Sequence, residues 1–484
     1  MRGALALIIN PNIKINLFKD FPSHSKKDWM DQIIRDLKGK DFEKTLVSVT
    51  EDGIKVNPFY TAEDMNLADS LSGYRNRVNP APSIPGMPPR IWSNVSSFEG
   101  TNGKITNEKI LDALLKGTDG LLLNLGGEED LEVLLKGVEP QYIQIFLNPI
   151  GSPIQVLNGF MDWVNQNGWR PDTIYGGVLW DGFAAALTEK TDKRTVVEIA
   201  KSLLQIGEEF GNFKVLSIDA AAYHNSGASP VQELTFGLAA WIELIDALVG
   251  EGFYPQEIIQ KTMFRLAVGS DFFLEIAKVK AARILMHRMI SLYQLDIPAE
   301  DLFLFVETSF WTKTTSDPDT DMIRNTTEAM AGIIGGANAL YVLPHDIATE
   351  VLGTLAERLA RNVSNILKEE SYLDKILDPV AGSYFIENLI VAIFQKVKES
   401  LAHVEEMGGW WTCYESGFIQ KEVKTLRKKK MEDVLERRRS KIGVNKYTIR
   451  KESMNPKSKA DEEESWALSP CRESMLAENL IWNL

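Results

Sequence analysis

Gly120-Leu121-Leu122-Leu123-Asn124-Leu125 is an aliphatic run broken by one amide, and an amphipathic stretch, Glu128 to Lys136, and a second short run, Tyr142 to Leu147, follow it. A short apolar run, a helix-spaced stretch and another apolar run read as a β-α-β unit. The pattern extends in both directions. Further strands are predicted at Ile91 to Ser97, Ile174 to Trp180, Phe213 to Asp219, Thr262 to Val268, Leu302 to Thr308 and Asn338 to Leu343, which makes eight. Besides Glu128 to Lys136, helices are predicted at Asn107 to Lys116, Ile154 to Gln166, Lys193 to Phe210, Val231 to Val249, Asp271 to Leu295, Asp321 to Ile334 and His345 to Glu370. Strict alternation implies right-handed crossovers and a parallel sheet, and eight units permit closure into a (β/α)8 barrel of the TIM type. An open doubly wound sheet is the rival, although no glycine-rich fingerprint follows an early strand.

At 484 residues the chain exceeds one ordinary core, so extensions beyond the barrel are expected. No apolar run approaches the roughly eighteen residues of a membrane span. A formal net charge of −14 repels polyphosphate backbones at long range, which argues against a general nucleic-acid role. The two cysteines, Cys413 and Cys471, form neither a disulfide framework nor a CxxC metal spacing. They fit a reducing compartment, the cytoplasm by default.

Three regions are expected: 1–89, 90–400 for the barrel, and 401–484. In the first, Met1 to Asn10 reads as an arm, since its apolar run Ala4 to Ile9 is too short for a secretory signal. Ser25 to Lys38 places Trp29, Met30, Ile33, Ile34 and Leu37 at helical spacing before Gly39. Leu46 to Thr50 and Ile54 to Val56 flank Glu51-Asp52-Gly53, which suits a hairpin turn. The prolines from Asn79 to Pro89 favour an extended strap. In the last region Lys421 to Lys441 is strongly basic but keeps Met431, Val434 and Leu435 as a narrow apolar stripe. That stripe favours a helix docked on the barrel over a patch for an acidic partner or CoA phosphates. Beyond Glu452 a polar, loose linker is expected.

In a barrel the loops after the strand C-termini form the active face, which selects Asn124, Asn148, Trp180-Asp181, Asp219 through His224, and Glu307 through Trp311. Tyr223 and His224 are the most suggestive, because a phenol and an imidazole can donate hydrogen bonds to a thioester or carboxylate. A loop or interface role is the plainer reading for a lone histidine. Asp219 could act as acid or base if buried, or simply cap a loop. His345-Asp346 lacks a second ligand at metal spacing and reads as a helix cap, so no metal site is expected. Gly126-Gly127 and Gly335-Gly336 read as turns or helix stops, since neither precedes a Lys-Ser/Thr pair.

The stretch Ala267-Val268-Gly269-Ser270-Asp271-Phe272-Phe273-Leu274-Glu275-Ile276-Ala277-Lys278, continued by Lys280-Ala281-Ala282-Arg283, resembles the acyl-CoA mutases, specifically the methylmalonyl-CoA mutase family. Further matches are Asn57-Pro58-Phe59-Tyr60-Thr61-Ala62-Glu63-Asp64, Tyr223-His224 with Gly227-Ala228, Thr327-Glu328-Ala329-Met330-Ala331, and Asp378-Pro379-Val380-Ala381-Gly382-Ser383-Tyr384. The likeness spans roughly residues 16 to 450.

The resemblance implies a barrel threaded by coenzyme A, an adenosylcobalamin domain capping it, and radical interconversion of methylmalonyl-CoA and succinyl-CoA. Two departures stand out. Ile84-Pro85-Gly86-Met87-Pro88-Pro89-Arg90-Ile91-Trp92 lacks the tyrosine with which the family's catalytic chains steer the radical. No Asp-x-His-x-x-Gly surrounds any of His24, His224, His287, His345 or His403, so the lower ligand of cobalt is missing, and no flavodoxin-like cobalamin domain is expected here. The resemblance therefore implies a small, non-catalytic subunit in a heterodimer with a large catalytic chain, with adenosylcobalamin on the large chain and Tyr223 and His224 as vestiges. Two alternatives stay open. One is a split mutase whose cobalamin domain is a separate protein, and the other is a CoA-ester binding or chaperone-like module.

Overall fold

The computed structural model describes residues 24–65, 86–298, 301–349, 353–448 and 466–482. The arm at 1–10 and residues 79–85 of the proline strap lie outside them. Ser25 and Asp28 form a capping box at the start of the helix Lys26–Asp36, and Gly39 follows its end at φ +88°. Strands β1 (Ser48–Val49) and β2 (Lys55–Val56) then pair antiparallel around Glu51-Asp52-Gly53, with Gly53 at φ +73° where a side chain would strain the turn. The expected helix and hairpin are both present.

The barrel follows. Its strands are β3 (Ser93–Glu99), β4 (Gly120–Leu125), β5 (Gln144–Pro149), β6 (Tyr175–Val178), β7 (Asn212–Lys214), β8 (Leu216–Asp219), β9 (Thr262–Val268), β10 (Phe303–Thr308) and β11 (Ala339–Tyr341). All pairings among them are parallel, in the order β7-β6-β5-β4-β3-β11-β10-β9-β8. The two ends of this sheet, β7 and β8, are halves of one predicted strand, parted only at Val215. The first half pairs with β6 and the second with β9, so the sheet returns on itself as the eight-stranded barrel, not the open sheet.

Strand alternation sorts the side chains. Leu121, Ile145, Val178, Ile218, Leu266, Val306 and Leu340 face outward into one core shared with the surrounding helices. Inward, Val95, Leu122, Phe146, Leu179, Met263, Phe305 and Ala339 form a separate apolar cluster, with Phe303 and Tyr341 packed on it. The Phe146 ring lies 4.9 Å from Phe305 and 5.9 Å from Phe303, centroid to centroid. The barrel axis is therefore filled by large side chains.

The outer helices begin where their caps dictate. Pro230–Gly250 opens with a Ser229/Gln232 capping box and Pro230 at its first turn. Pro318–Gly335 opens at Asp317 and stops at Gly336, which is left-handed at φ +114°. Two helices are much shorter than expected. Glu128 to Lys136 contracts to Leu131–Leu134 between its Asp130 cap and Gly137, and the helix expected from His345 starts at Thr354. A long helix, Tyr384–Glu406, runs through residue 400 and packs on Pro230–Gly250 and Phe272–Leu292.

The basic segment forms the helix Phe418–Leu435, docked as its apolar stripe suggests, with Met431 and Val434 buried. The expectation of a loose linker fails for residues 466–482. Leu468 N–H bonds to Leu187 O at 2.8 Å, Cys471 N–H to Asn225 O at 2.8 Å and Glu473 N–H to Trp311 O at 2.9 Å. Polar composition here serves buried ion pairs, Lys441 to Glu473 at 2.6 Å and Arg472 to Glu478, instead of solvation.

Candidate functional site at the barrel mouth

Two residues beyond each apolar plug residue, the same face of the same strand carries a polar group. Val95 is followed by Ser97, Leu122 by Asn124, Phe146 by Asn148, Leu179 by Asp181, Met263 by Arg265, Phe305 by Glu307 and Ala339 by Tyr341. These groups form a polar ring above the plug at the C-terminal end of the barrel. Asn124 Nδ2 donates to Ser97 Oγ at 3.0 Å and Glu99 Oε1 at 2.8 Å, and Asn148 Nδ2 donates to Asn124 Oδ1 at 2.7 Å.

Across the ring, Arg265 Nε and Nη2 both reach Glu307 Oε2, at 2.9 and 2.6 Å, and Nη1 lies 3.3 Å from Asp219 Oδ2. Burial opposes the guanidinium charge, but Glu307 and Asp219 outweigh it and hold the Arg265 pKa above its usual value. Burial pushes Asp219 upward, with Arg265 opposing. Burial likewise lifts Asp181 to about 7, against the N–H groups of Asp219 and Phe183 that bond to it. Asp219 is thus a partner of Arg265 and of the Ala222 N–H, at 3.2 Å, not a carboxylate held free for proton transfer.

Tyr223 and His224 sit side by side in a short helix, Ala221–Asn225, and face different surroundings. Tyr223 is fully buried, its hydroxyl accepts from Trp410 Nε1 at 2.7 Å, and its ring packs on Phe236. Burial holds its pKa well above the usual phenol value. His224 Nδ1 lies 3.2 Å from Glu233 Oε2 and Nε2 lies 2.8 Å from Ser309 Oγ. An ionised Glu233 only accepts, which places the proton on Nδ1.

Glu233 is itself clamped by Lys278 Nζ at 2.7 Å and the Ala267 N–H at 3.1 Å, and Lys278 also donates to Ala267 O at 2.6 Å. Burial disfavours both charges. Lys278 and His224 nonetheless hold the Glu233 carboxyl below its usual pKa, and Glu233 with Glu275 holds the Lys278 ammonium above its own. Burial pushes the second carboxyl, Glu275, upward, with Lys278 and His224 opposing.

Ser309, His224 and Glu233 have the order of a hydrolytic triad but not its setting. Ser309 is fully buried and its own N–H, which an oxyanion would need, is bonded to Glu328 Oε2 at 3.2 Å. The arrangement fixes the ring without activating the hydroxyl.

The loops that follow β8 and β10 are joined by Asn225, whose Nδ2 donates to Glu307 Oε1 at 2.9 Å while its Oδ1 accepts the Phe310 N–H at 3.0 Å. Over these loops run residues 466–482, the basic helix and the hairpin turn. Lys430 lies 2.9 Å from Glu51 Oε2, Arg439 Nη1 is 2.7 Å from Glu51 Oε1, and Lys441 reaches both Glu473 and Thr312 O at 2.6 Å. His345-Asp346 lies after β11, where Asp346 Oδ2 accepts the N–H of Gly353, the helix-capping residue, at 2.7 Å. Among the described residues no group of three or more His, Cys, Asp or Glu is placed to hold a metal ion, and no helix is long and apolar enough to cross a membrane.

The sequence windows after the strands find Asn124, Asn148, Asp181, Asp219, Glu307 and Ser309 at this mouth. They miss Arg265, Glu233 and Lys278. Arg265 had a signal, a lone charge inside the apolar strand Thr262–Val268. Glu233 and Lys278 lie on different helices, and nothing local pairs them.

Fold and site together define a closed parallel β/α barrel whose mouth is an internally paired polar ring over a filled axis. Residues 117–469 match the methylmalonyl-CoA mutase family. The chain is 33% identical over 450 residues to the methylmalonyl-CoA mutase small subunit of Porphyromonas gingivalis, across 90% of this chain and 71% of that one. It is 28% identical over 458 residues to the small subunit of Streptomyces virginiae, across 92% and 73% of the two chains. It is 26% identical over 454 residues to the methylmalonyl-CoA mutase of Escherichia coli, across 84% and 62%. The chain belongs to the methylmalonyl-CoA mutase family.

Proposed function

We propose that this chain is the small, non-catalytic subunit of a heterodimeric methylmalonyl-CoA mutase, which supports a large subunit's adenosylcobalamin-dependent interconversion of methylmalonyl-CoA and succinyl-CoA. The observation that carries the reading is the filled axis. A barrel that admits a CoA ester along its axis needs an open channel, and here Phe146, Phe303, Phe305, Met263 and Leu179 occupy that space. Arg265 is the one basic group of the ring above them, and its guanidinium is already held by two carboxylates, which disfavours an anionic acyl group.

The residues present do not fit cobalamin either. Both ring nitrogens of His224 are engaged within the protein, and His287 is buried inside the helix Phe272–Leu292. Neither His345, in the loop after β11, nor His403, on the helix Tyr384–Glu406, lies in an Asp-x-His-x-x-Gly context. No step is routed through the cofactor in this chain. Its part is to present a rigid barrel to the catalytic partner, in the cytoplasm, where the free thiols Cys413 and Cys471 stay reduced.

Co-expression with a large mutase chain should give a stable heterodimer, while the isolated chain with adenosylcobalamin and methylmalonyl-CoA should give no isomerisation. A chain that stays cleanly monomeric beside its large subunit would sink the proposal. The retained Tyr223 and His224 favour a second reading, a catalytic barrel served by a separate cobalamin protein. Isomerisation on adding only such a protein would establish it.

A further inference from the structure

The hairpin turn at residues 50–53 grips one joint of the mouth from both sides with its two carboxylates. Glu51 Oε2 lies 2.9 Å from Lys430 Nζ, and Glu51 Oε1 lies 2.7 Å from Arg439 Nη1. Asp52 accepts from the Ser229 hydroxyl, and its Oδ2 accepts the Val231 N–H at 3.4 Å, which adds a carboxylate to the N-terminus of the helix Pro230–Gly250. Between the two grips runs the loop 227–229, whose Gly227 and Ala228 carbonyls accept from Lys430 at 3.4 and 3.3 Å. The turn therefore fastens the basic helix to the loop that follows β8.

The same cations lead on to residues 466–474. Lys430 Nζ lies 5.1 Å from the ring centroid of Trp311, whose carbonyl accepts the Glu473 N–H at 2.9 Å. Arg439 Nε lies 3.9 Å from Glu473 Oε2, and Lys441 holds the other oxygen of that carboxylate at 2.6 Å. Contacts thus run unbroken from the turn to the chain that crosses the mouth. The apolar anchorage of the turn is light. Ile54 is the one buried side chain of residues 24–65, and the helices Lys26–Asp36 and Phe42–Leu46 bury none. A segment with so little buried apolar surface opens far more readily than a barrel with a continuous core. Its ion pairs are within reach of salt, since the Glu51 side chain is 30% exposed.

We propose that the hairpin turn is a latch on the cover of the mouth. While Glu51 and Asp52 are engaged, residues 466–474 stay closed over Asn225 and Trp311, and release of the turn loosens them while the barrel remains folded. The device rests on the contacts of Lys430, Arg439 and Glu473 and is independent of the mutase assignment.

Native-state hydrogen exchange of the full chain tests the latch. The reporters are the amides of Leu468, Cys471 and Glu473, which bond to the carbonyls of Leu187, Asn225 and Trp311 and not to the hairpin. Glu51→Gln should speed their exchange by about threefold to tenfold, the loss expected of two partly exposed ion pairs, and leave the amides of β4 and β9 unchanged. Raising the salt concentration should speed the same three amides in the wild type and much less in the Glu51→Gln variant. Arg439→Gln should have a smaller effect in the Glu51→Gln background than alone, because the two substitutions remove one shared pair. Unchanged exchange at the three amides, an equal acceleration of β4 and β9, an equal salt response in both proteins, or fully additive substitutions would each overturn the proposal.

Discussion

His224 Nε2 meets Ser309 Oγ at 2.8 Å while its Nδ1 faces Glu233 at 3.2 Å, so this histidine of the mouth is held from both sides by the protein itself. A ring so held has no nitrogen to offer a substrate. His224→Ala should therefore leave turnover of the assembled complex within about twofold. It should also lower the stability of this chain by about 1–3 kcal/mol, because Ser309 and Glu233 lose a buried partner. Steady-state isomerase assays beside urea unfolding separate the two effects, and a large fall in turnover would refute the non-catalytic role.

Lys278 lies beneath that histidine, fully buried, with Glu233 2.7 Å and Glu275 2.5 Å away. Removing its charge strands Glu233 in the interior, a change that costs about 3–5 kcal/mol in buried pairs. Lys278→Met should show a loss of that order in urea unfolding, and Lys278→Met with Glu233→Gln should recover part of it. Equal losses in the single and double variants would mean that packing, and not the ion pair, sets the cost.

The plug makes a further expectation. Phe146 is fully buried at the barrel axis, edge-on to Phe305. Phe146→Ala should cost about 3–5 kcal/mol, the usual range for a buried aromatic truncated to a methyl group. A loss under about 1 kcal/mol, read from denaturant midpoints at constant slope, would show that the axis is looser than the ring contacts suggest.

Asp52 gives a pH dependence. Burial raises its pKa from 3.8 to about 6, against the Ser229 hydroxyl and the Val231 N–H that bond to it. In the folded state it therefore binds its proton more tightly than in the unfolded chain. Its contribution to stability is full below about pH 4 and is lost as pH rises through about 6, by about 3 kcal/mol at most. The stability of the wild type relative to Asp52→Asn should fall by that route between about pH 4 and about pH 7 in urea titrations. A difference that stays flat across this range would remove Asp52 as its source.

The periodicities carried much of this architecture. Eight apolar runs separated by helical stretches specified the barrel, and the Asp-Gly turn specified the hairpin, because both are local patterns. The division of the fifth strand at Val215 was not legible, since it arises from closing the sheet on β6 and β9 at once. At the mouth, the position of Asp181 or Glu307 follows from counting along a strand. Their pairing does not: Arg265, Glu307 and Asp219 come from three strands, and Glu233 and Lys278 from two helices. The order of residues 466–482 escaped notice for the same reason. Their charges read as solvated until Lys441, Thr315 and Trp311 are brought beside them by the fold.

Glu51 and Glu473 belong to opposite ends of the described chain, yet Arg439 bridges them over the mouth. Contacts between such distant residues must await the assembly of everything that lies between, because loop closure opposes them until the barrel is formed. The cover of the mouth therefore depends on the barrel beneath it having closed, and native-state hydrogen exchange should show it opening more readily than the plugged axis below.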